Sequence, residues 1–286
     1  MVVLVSDRPH LSRMPNDIQE GLSRAERQEV EERTAPRSPV IYEVVRQQGE
    51  EELERPDASL FWSGIAAGFA IMASVAAQGA IRQKLPPGMP WREVVADLGY
   101  SVGFLIVILG RMQLFTEQTI VTVLPVMAEP GWGKLRGTAR LWVIVFVANM
   151  IGTCAVAFLN VHTRLVSPEL LASMLEVSGH LLHKTPMDML AEAVPAGFII
   201  ASVAWSRAAI TNGEFWIVLT LTYAIALCGF THVVAGSAET FLLLFAGQVG
   251  TAQALGGIIL PALIGNIIGG TGLFALLAHA QVHQEL

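Results

Sequence analysis

Residues 114–119 read Leu-Phe-Thr-Glu-Gln-Thr and lie inside a predominantly apolar region that runs from about Val94 to Met127. At 1.5 Å per residue, a continuous helix over that region would be about 50 Å long, which exceeds the roughly 40–45 Å thickness of a whole bilayer. Four of these six residues are polar, although Val, Ile and Leu surround them. The sequence therefore predicts a break in a membrane-spanning helix at this point.

A second apolar region, Phe215–Gly247, is also too long for one crossing, and Thr231 and His232 interrupt it between glycines. A spanning helix needs about 20 mostly apolar residues. Four uninterrupted stretches meet that requirement: 59–81, 141–161, 186–209 and 255–280. The sequence thus predicts an all-α membrane protein with six transmembrane helices, of which the second and fifth are broken.

The two halves of this membrane region repeat each other. Asn149-Met-Ile-Gly in the third segment and Asn266-Ile-Ile-Gly in the sixth are 117 residues apart, and the two interruptions are about 116 residues apart. Because each half has three crossings, an odd number, the second half must enter the membrane upside down. We therefore expect a 3+3 inverted repeat with an aquaporin-like protomer, and interrupted segments at matching places indicate a transport site.

The charged residues are concentrated before the membrane region. Only 15% of the 286 residues are charged, whereas soluble domains have about 25%. Residues 1–57 carry 21 of the 42 charges and are predicted to be a polar tail, followed by a channel domain at 58–286. Ser38-Pro39 is a typical helix start, and the apolar spacing after it predicts a short amphipathic helix near 38–53. The tail lacks the apolar core of a signal peptide, and its acidic excess argues against nucleic-acid binding.

Lys and Arg flanking the segments predict the orientation. With the N-terminus in the cytoplasm, twelve of them face inward and five face outward. The sequence therefore favours a cytoplasmic N-terminus.

Irregular backbone at membrane depth is tolerated only where protein or a water-filled cavity supplies hydrogen-bond partners. Each break also exposes a helix N-terminus, the positive end of its dipole, which favours an anion. No metal triad and no Ser or Cys nucleophile with a base at suitable spacing is apparent. We therefore expect a solute path at the breaks, and neither an enzyme, a metal nor a cofactor.

Four motifs in order resemble those of the formate/nitrite transporter family. They are Ser63–Phe69, Gln113–Thr116, Gly229–His232 and Gly265–Thr271. The stretch 113–127 and the tail segment 41–55 further resemble the YfdC-type branch of that family.

The resemblance implies a homopentamer in a bacterial inner membrane, with a pore in each protomer for a small weak-acid anion, passive or proton-linked. His232 would be the central pore histidine, and Thr116 the hydroxyl that faces it. Leu114 and Phe115 would form an inner constriction, and Tyr100 and Phe104 an outer one. The sequence departs from the family pattern in four ways: Gln113 and Thr231 each replace a glutamate, Gly197 stands where an asparagine is usual, and a common lysine is absent from 187–196.

Three ionisable residues, Arg111, Glu117 and Glu239, lie next to the breaks. Charges inside a membrane are usually paired or functional. We expect Arg111 to pair with Glu117 or Glu239, either pinning the loop or setting pore selectivity. Other residues are assigned to the repeat and to close helix packing: Asn149, Asn266, Gly64, Gly68, Gly265 and Gly269.

Two other functions remain open at this stage. An aquaporin-like channel for a neutral solute is favoured by the departures from the family pattern. A non-conducting membrane scaffold or sensor would signal through the charged tail. The expected partners are accordingly a small anion or neutral solute, the lipid bilayer and further copies of the chain.

Overall fold

The computed structural model of the protein describes residues 22–285, which contain helices and no strand. The chain forms two compact units, Met1–Arg37 and Ser38–Leu286. In the first unit, α1 (Arg24–Arg33) begins with a reciprocal cap in which Ser23 and Glu26 exchange hydrogen bonds between side chain and backbone N–H. The first 21 residues of the predicted polar tail lie outside the described residues.

The second unit is a bundle of twelve helices among the described residues. In chain order they are α2 (Ser38–Glu54), α3 (Asp57–Lys84), α4 (Arg92–Ala96), α5 (Tyr100–Leu109), α6 (Phe115–Val121), α7 (Val123–Ala128), α8 (Trp132–His162), α9 (Pro168–Ser178), α10 (Pro186–Ala208), α11 (Glu214–Leu227), α12 (Val233–Phe245) and α13 (Gln253–His283).

Four of these helices, α3, α8, α10 and α13, are long and apolar enough to cross a membrane. They coincide with the four uninterrupted segments expected from the sequence, which confirms that part of the prediction. Helix α13 is continuous but widens into π-helical geometry at Gln253–Ile259 and Ile268–Ala275. The two remaining apolar regions are divided into shorter helices, with non-helical backbone at 110–114 and 228–232.

Helix α2 covers the stretch where the sequence indicates an amphipathic helix, and it belongs to the second unit. Its apolar face buries Ile41, Tyr42 and Val45, and the Tyr42 hydroxyl lies 2.7 Å from Nδ1 of His279 on α13. On its outer face, a hydrogen bond from Arg46 lowers the pKa of Glu43 to about 2. The side of α2 that carries the apolar residues therefore packs on the bundle.

Glycines allow the long helices to approach at backbone distance. A Cβ at Gly68 of α3 would overlap the carbonyl oxygen of Asn149 on α8, and a Cβ at Gly152 would overlap that of Ile65. The α10–α13 crossing repeats this arrangement, because a Cβ at Gly269 would overlap the carbonyl oxygen of Val194. Small residues at these positions bring α8 and α13 close enough for their polar side chains to reach the neighbouring backbone.

Replacing Gly269 by alanine is expected to lower the unfolding free energy by about 1–3 kcal/mol, because an added methyl group in a filled contact forces the helices apart. Gly256→Ala on the same helix is the matched control, since a Cβ there would meet no atom of a neighbouring element within 4 Å. The control is expected to be neutral, or stabilising by up to about 1 kcal/mol. Thermal unfolding in detergent, followed by tryptophan fluorescence, measures both; equal effects would contradict the packing argument.

Candidate functional site

Asn149 holds the first non-helical stretch. Its side chain is buried, and its Nδ2 donates to the carbonyl oxygens of Gly64 at 2.8 Å and Gln113 at 2.9 Å. Its Oδ1 accepts the backbone N–H of Phe115, the first residue of α6, at 3.0 Å. One side chain therefore provides hydrogen-bond partners for backbone groups at the turn before α6, where the helix itself supplies none.

Asn266 holds the second stretch through the same three kinds of bond. Its Nδ2 donates to the carbonyl oxygens of Ala193 at 2.7 Å and Thr231 at 3.0 Å, and its Oδ1 accepts the N–H of Val233 at 2.7 Å. In each case the asparagine binds the first N–H of the following helix, the carbonyl two residues earlier and a carbonyl on a third helix. The asparagines of the two Asn-x-Ile-Gly motifs thus make equivalent sets of hydrogen bonds.

Thr116 and His232, the residues placed at the breaks by the sequence, contact each other across the two halves. The Thr116 Oγ1 and His232 Nε2 are 2.6 Å apart, and both residues are buried. The other ring nitrogen, Nδ1, accepts the N–H of Ala235 at 3.2 Å and caps α12. A neutral imidazole with an accepting Nδ1 carries its proton on Nε2, so we infer that His232 donates to Thr116. The hydroxyl hydrogen of Thr116 is then available for another acceptor.

Aromatic rings cover His232. Phe104 of α5 meets the imidazole edge-on with ring centroids 4.9 Å apart, and Tyr100 follows at 5.1 Å from Phe104. Both aromatic residues are buried. The Thr116–His232 contact therefore has an apolar side, where an unpaired charge would be costly.

Leu114 and Phe115, assigned to an inner constriction by resemblance, are also buried. The Phe115 ring packs against Trp142 and Phe146 of α8, with centroids 5.7 and 5.2 Å away. Neither residue lines the two cavities described next. In this structure they belong to the packing around the α6 turn.

Two cavities reach the segments that carry the Thr116–His232 contact: His232 lines the first, whereas Thr116 lines neither. The first, here called the His232 cavity, has a volume of about 400 Å³. Its lining comes from α3, α4, α5, α9, α10, α11 and α12 and from the connections between them, and it includes Tyr100, Thr231 and His232. The second, here called the Arg207 cavity, has a volume of about 260 Å³. Its lining includes Glu117 and Gln118, the two residues that follow Thr116.

Most charges in the His232 cavity are paired. Lys184 donates to the carbonyl oxygen of Gly229 at 2.8 Å and forms an ion pair with Glu192. Thr231 donates to the same Glu192 carboxylate at 3.1 Å. Lys184 therefore brings a positive charge to the second break. It precedes the stretch 187–196, where the lysine of the family pattern is absent. Glu192 was not singled out from the sequence, although an acidic residue within an apolar segment was the available signal.

Other charges lie at the mouth of this cavity. Arg82 binds both Glu93 and Glu176, and its hydrogen bond lowers the pKa of the Glu176 carboxyl. Glu239 lies deeper and is only 4% exposed. Its nearest ionic neighbour is Nε2 of His180, at 3.9 Å. Among residues 22–285, no group of three or more His, Cys, Asp or Glu has a metal-binding arrangement.

The Arg207 cavity contains an ion-pair network that differs from the expected one. The Arg207 Nη1 lies 2.7 Å from Glu117, and its Nε lies 3.1 Å from Glu214. Arg111 instead approaches Glu214 at 3.6 Å. The expected pairing of Arg111 with Glu117 or Glu239 is therefore wrong. Arg111 adopts a left-handed backbone with φ of 54° at the turn, and its side chain is 69% exposed and forms its ion pair with Glu214.

Helix α2 also reaches this site. The Gln113 amide donates to Glu52 of α2 at 2.9 Å, and its oxygen accepts from Gln118 at 2.9 Å. A chain of hydrogen bonds thus connects α2 to the turn that carries Thr116. The amphipathic pattern of α2 predicts a buried face, but it does not reveal this polar contact.

A family model described as formate/nitrite transporter matches residues 39–280. The chain is 37% identical over 256 residues to the Inner membrane protein YfdC of Escherichia coli (strain K12), covering 90% of this chain and 82% of that protein. It is 25% identical over 229 residues to a probable formate transporter of Methanothermobacter thermautotrophicus, covering 72% and 81% of the two chains.

Two solved structures share the fold. One is described as a pentameric formate channel with formate bound; its TM-score is 0.69 at 18% identity, covering 80% of this chain and 98% of that one. The other is described as an FNT family ion channel; its TM-score is 0.71 at 16% identity, covering 84% and 98%.

Removing either asparagine side chain is expected to destabilise the fold by about 3 kcal/mol or more, because each replacement leaves several buried backbone groups without partners. The variants are Asn149→Ala and Asn266→Ala. Asn160→Ala is the matched control, because Asn160 is a buried asparagine of α8 whose side chain forms no hydrogen bond with residues 22–285. Unfolding temperatures in detergent are compared, and an equally large loss for the control would contradict the proposed anchoring.

Arg207→Met is expected to cost about 3–5 kcal/mol of stability, because it leaves the partly buried Glu117 without its cation. Adding Glu117→Gln to that variant is expected to recover most of the loss. Arg111→Gln serves as control, since Arg111 is an exposed arginine that approaches the same Glu214, and its loss is expected to cost less than about 1 kcal/mol. Equal destabilisation by the two single variants would show that Arg207 has no special role.

Proposed function

The chain belongs to the formate/nitrite transporter family, and from that premise we propose that it is an inner-membrane channel for a small weak-acid anion such as formate. The family match extends over 39–280, which includes α2 to within three residues of the end of α13. Relatives named as a probable formate transporter and as a formate channel support both the transport function and this class of solute.

We further propose that the channel domain, residues 58–286, crosses the membrane six times as a 3+3 inverted repeat. The regions 92–128 and 214–245 would each cross as two half-helices that meet at a break. The equivalent hydrogen bonds of Asn149 and Asn266 support this arrangement. Twelve Lys and Arg fall on the N-terminal side of the predicted crossings and five on the other side, which supports a cytoplasmic N-terminal tail of residues 1–57. The pentameric structural relative supports a homopentamer.

The observation that carries the proposal is the 2.6 Å contact between Thr116 and His232, with one cavity lined by His232 and a second lined by Glu117 and Gln118, the residues that follow Thr116. A solute passing between the cavities would replace this contact and accept hydrogen bonds from both groups. Phe104 makes the passage apolar on one side. A weak acid in its neutral form would cross such a constriction far more readily than its anion, because desolvating an isolated charge is expensive.

A channel for a neutral solute is the second candidate, and one observation favours it. The lining of the Arg207 cavity has four glutamates against two arginines, and the lining of the His232 cavity has five acidic residues against one lysine and one arginine. Acidic linings lower the local concentration of anions. A neutral molecule such as glycerol would not be affected.

Radiolabelled formate uptake into proteoliposomes tests the proposal. Thr116→Val and His232→Ala are each expected to reduce formate flux by about tenfold or more, because each removes a hydrogen-bond donor worth roughly 1–2 kcal/mol at the constriction. Thr220→Val is the matched control, because Thr220 is exposed on α11 and lines neither cavity.

Glycerol flux is measured on the same vesicles. Glycerol flux without formate flux would favour the neutral-solute channel. The absence of flux for both solutes in the wild type would contradict both transport functions and favour a scaffold or sensor.

A further inference from the structure

Glu239 is a buried carboxylate that the constriction does not use. It lies seven residues after His232, and at 3.6 residues per turn the two side chains project from the same face of the α12 region. Both line the His232 cavity, with Gly236 between them along that face. Because Gly236 has no side chain, nothing from α12 itself separates the carboxylate from the imidazole.

Within the described part of the chain, the lysine and the arginine that line the cavity are bound to other carboxylates. Lys184 is held by Glu192 and by the carbonyl of Gly229, and Arg82 is held by two glutamates. The titratable and charged groups that share the cavity lining with Glu239 are Arg82, Glu93, Asp97, Tyr100, Glu176, His180, Lys184, Glu192, Cys228 and His232. Of these, His180, Lys184 and Asp97 act on its charge most directly.

The one ionic neighbour near contact distance is itself titratable. His180 approaches Glu239 at 3.9 Å, which is beyond hydrogen-bond length, and its side chain is partly exposed to the cavity mouth. The Asp97 carboxylate adds a second acidic group, and its one side-chain hydrogen bond with residues 22–285 comes from the Gln78 amide at 3.2 Å. The carboxyl oxygens of Glu239 form no hydrogen bond with residues 22–285. Its charge therefore acts directly on whatever occupies the cavity.

From this geometry we propose that Glu239 determines the selectivity of the His232 cavity: it repels the weak-acid anion when ionised and admits it when protonated. The inference rests on the proposed function. Two unit charges about 12 Å apart, at an effective dielectric constant of about 20, interact by about 1.4 kcal/mol, which corresponds to a tenfold change in occupancy. A protonated carboxyl has no such repulsion and can donate a hydrogen bond to the anion. Formate entry on this side therefore falls as pH rises through the titration of Glu239.

The Glu239 carboxylate could also act by attracting cations instead of repelling anions, and this alternative can be tested. Acidic residues that line a pore select cations in many channels. If Glu239 served that purpose, its charge would attract a small cation such as methylammonium, and neutralising it would abolish that flux.

The test compares Glu239→Gln with wild type in proteoliposomes that have equal pH inside and outside. Formate flux is measured from about pH 5 to about pH 8. The fraction of neutral formic acid varies identically for both proteins, so the ratio of their fluxes isolates the residue. The ratio of variant to wild type is expected to rise by about tenfold across this range. Glu239→Asp, which keeps the carboxylate, is expected to retain a wild-type profile. Glu169→Gln is the control, because Glu169 is an exposed glutamate of α9 outside the cavity.

Three results would overturn the inference: a constant ratio at all pH values, loss of formate flux in a folded Glu239→Gln protein, or methylammonium uptake by the wild type. The last measurement needs no variant, so it stands even if Glu239→Gln fails to fold. Formate flux with identical pH profiles would contradict only the role of Glu239. Absence of formate flux in the wild type at every pH would contradict the proposed function as well.

Discussion

Two buried asparagines supply hydrogen-bond partners to the backbone at the two non-helical stretches, 110–114 and 228–232. In a membrane, an unpaired N–H or C=O costs several kcal/mol, so non-helical backbone needs partners from the protein. Asn149 and Asn266 each supply one acceptor and two donors at those places. An amide is well suited to this role, because it offers both kinds of group without a charge that would need a counterion.

The position of the candidate constriction follows from these anchors. Because Asn149 fixes the N–H of Phe115, the next residue, Thr116, projects from the first turn of α6. Because Asn266 fixes the N–H of Val233, the preceding His232 is held at the N-cap of α12. Glycines at the α3–α8 and α10–α13 crossings bring the asparagines within reach of both turns. The Thr116–His232 contact therefore depends on the asparagine hydrogen bonds, and these bonds depend on the close packing of the helices.

Much of this arrangement could be predicted from the sequence, because it follows from the lengths of the apolar segments and from the spacing of a repeated motif. The four long apolar helices follow from hydropathy, and the repeated Asn-x-Ile-Gly motif locates the two anchors. The ion pairs could not be predicted in this way. Arg207 and Glu117 are 90 residues apart, whereas Arg111, which is nearer in sequence, pairs with Glu214. Lys184 lies in a connection before α10, so sequence position did not indicate that it reaches the second break.

Under the proposed function, the constriction and the cavities discriminate between solutes by different physical effects. Desolvation at Phe104, Thr116 and His232 disfavours any ion regardless of sign. The acidic linings act on the sign of the charge and extend over several ångströms, so they operate before the solute is desolvated. An anion approaching His232 meets both barriers, whereas a neutral acid meets neither. The excess of carboxylates in both cavities therefore adds to the selection for an uncharged solute that the dry contact already imposes, and this combination separates the chain from a pore that concentrates anions at its entrances.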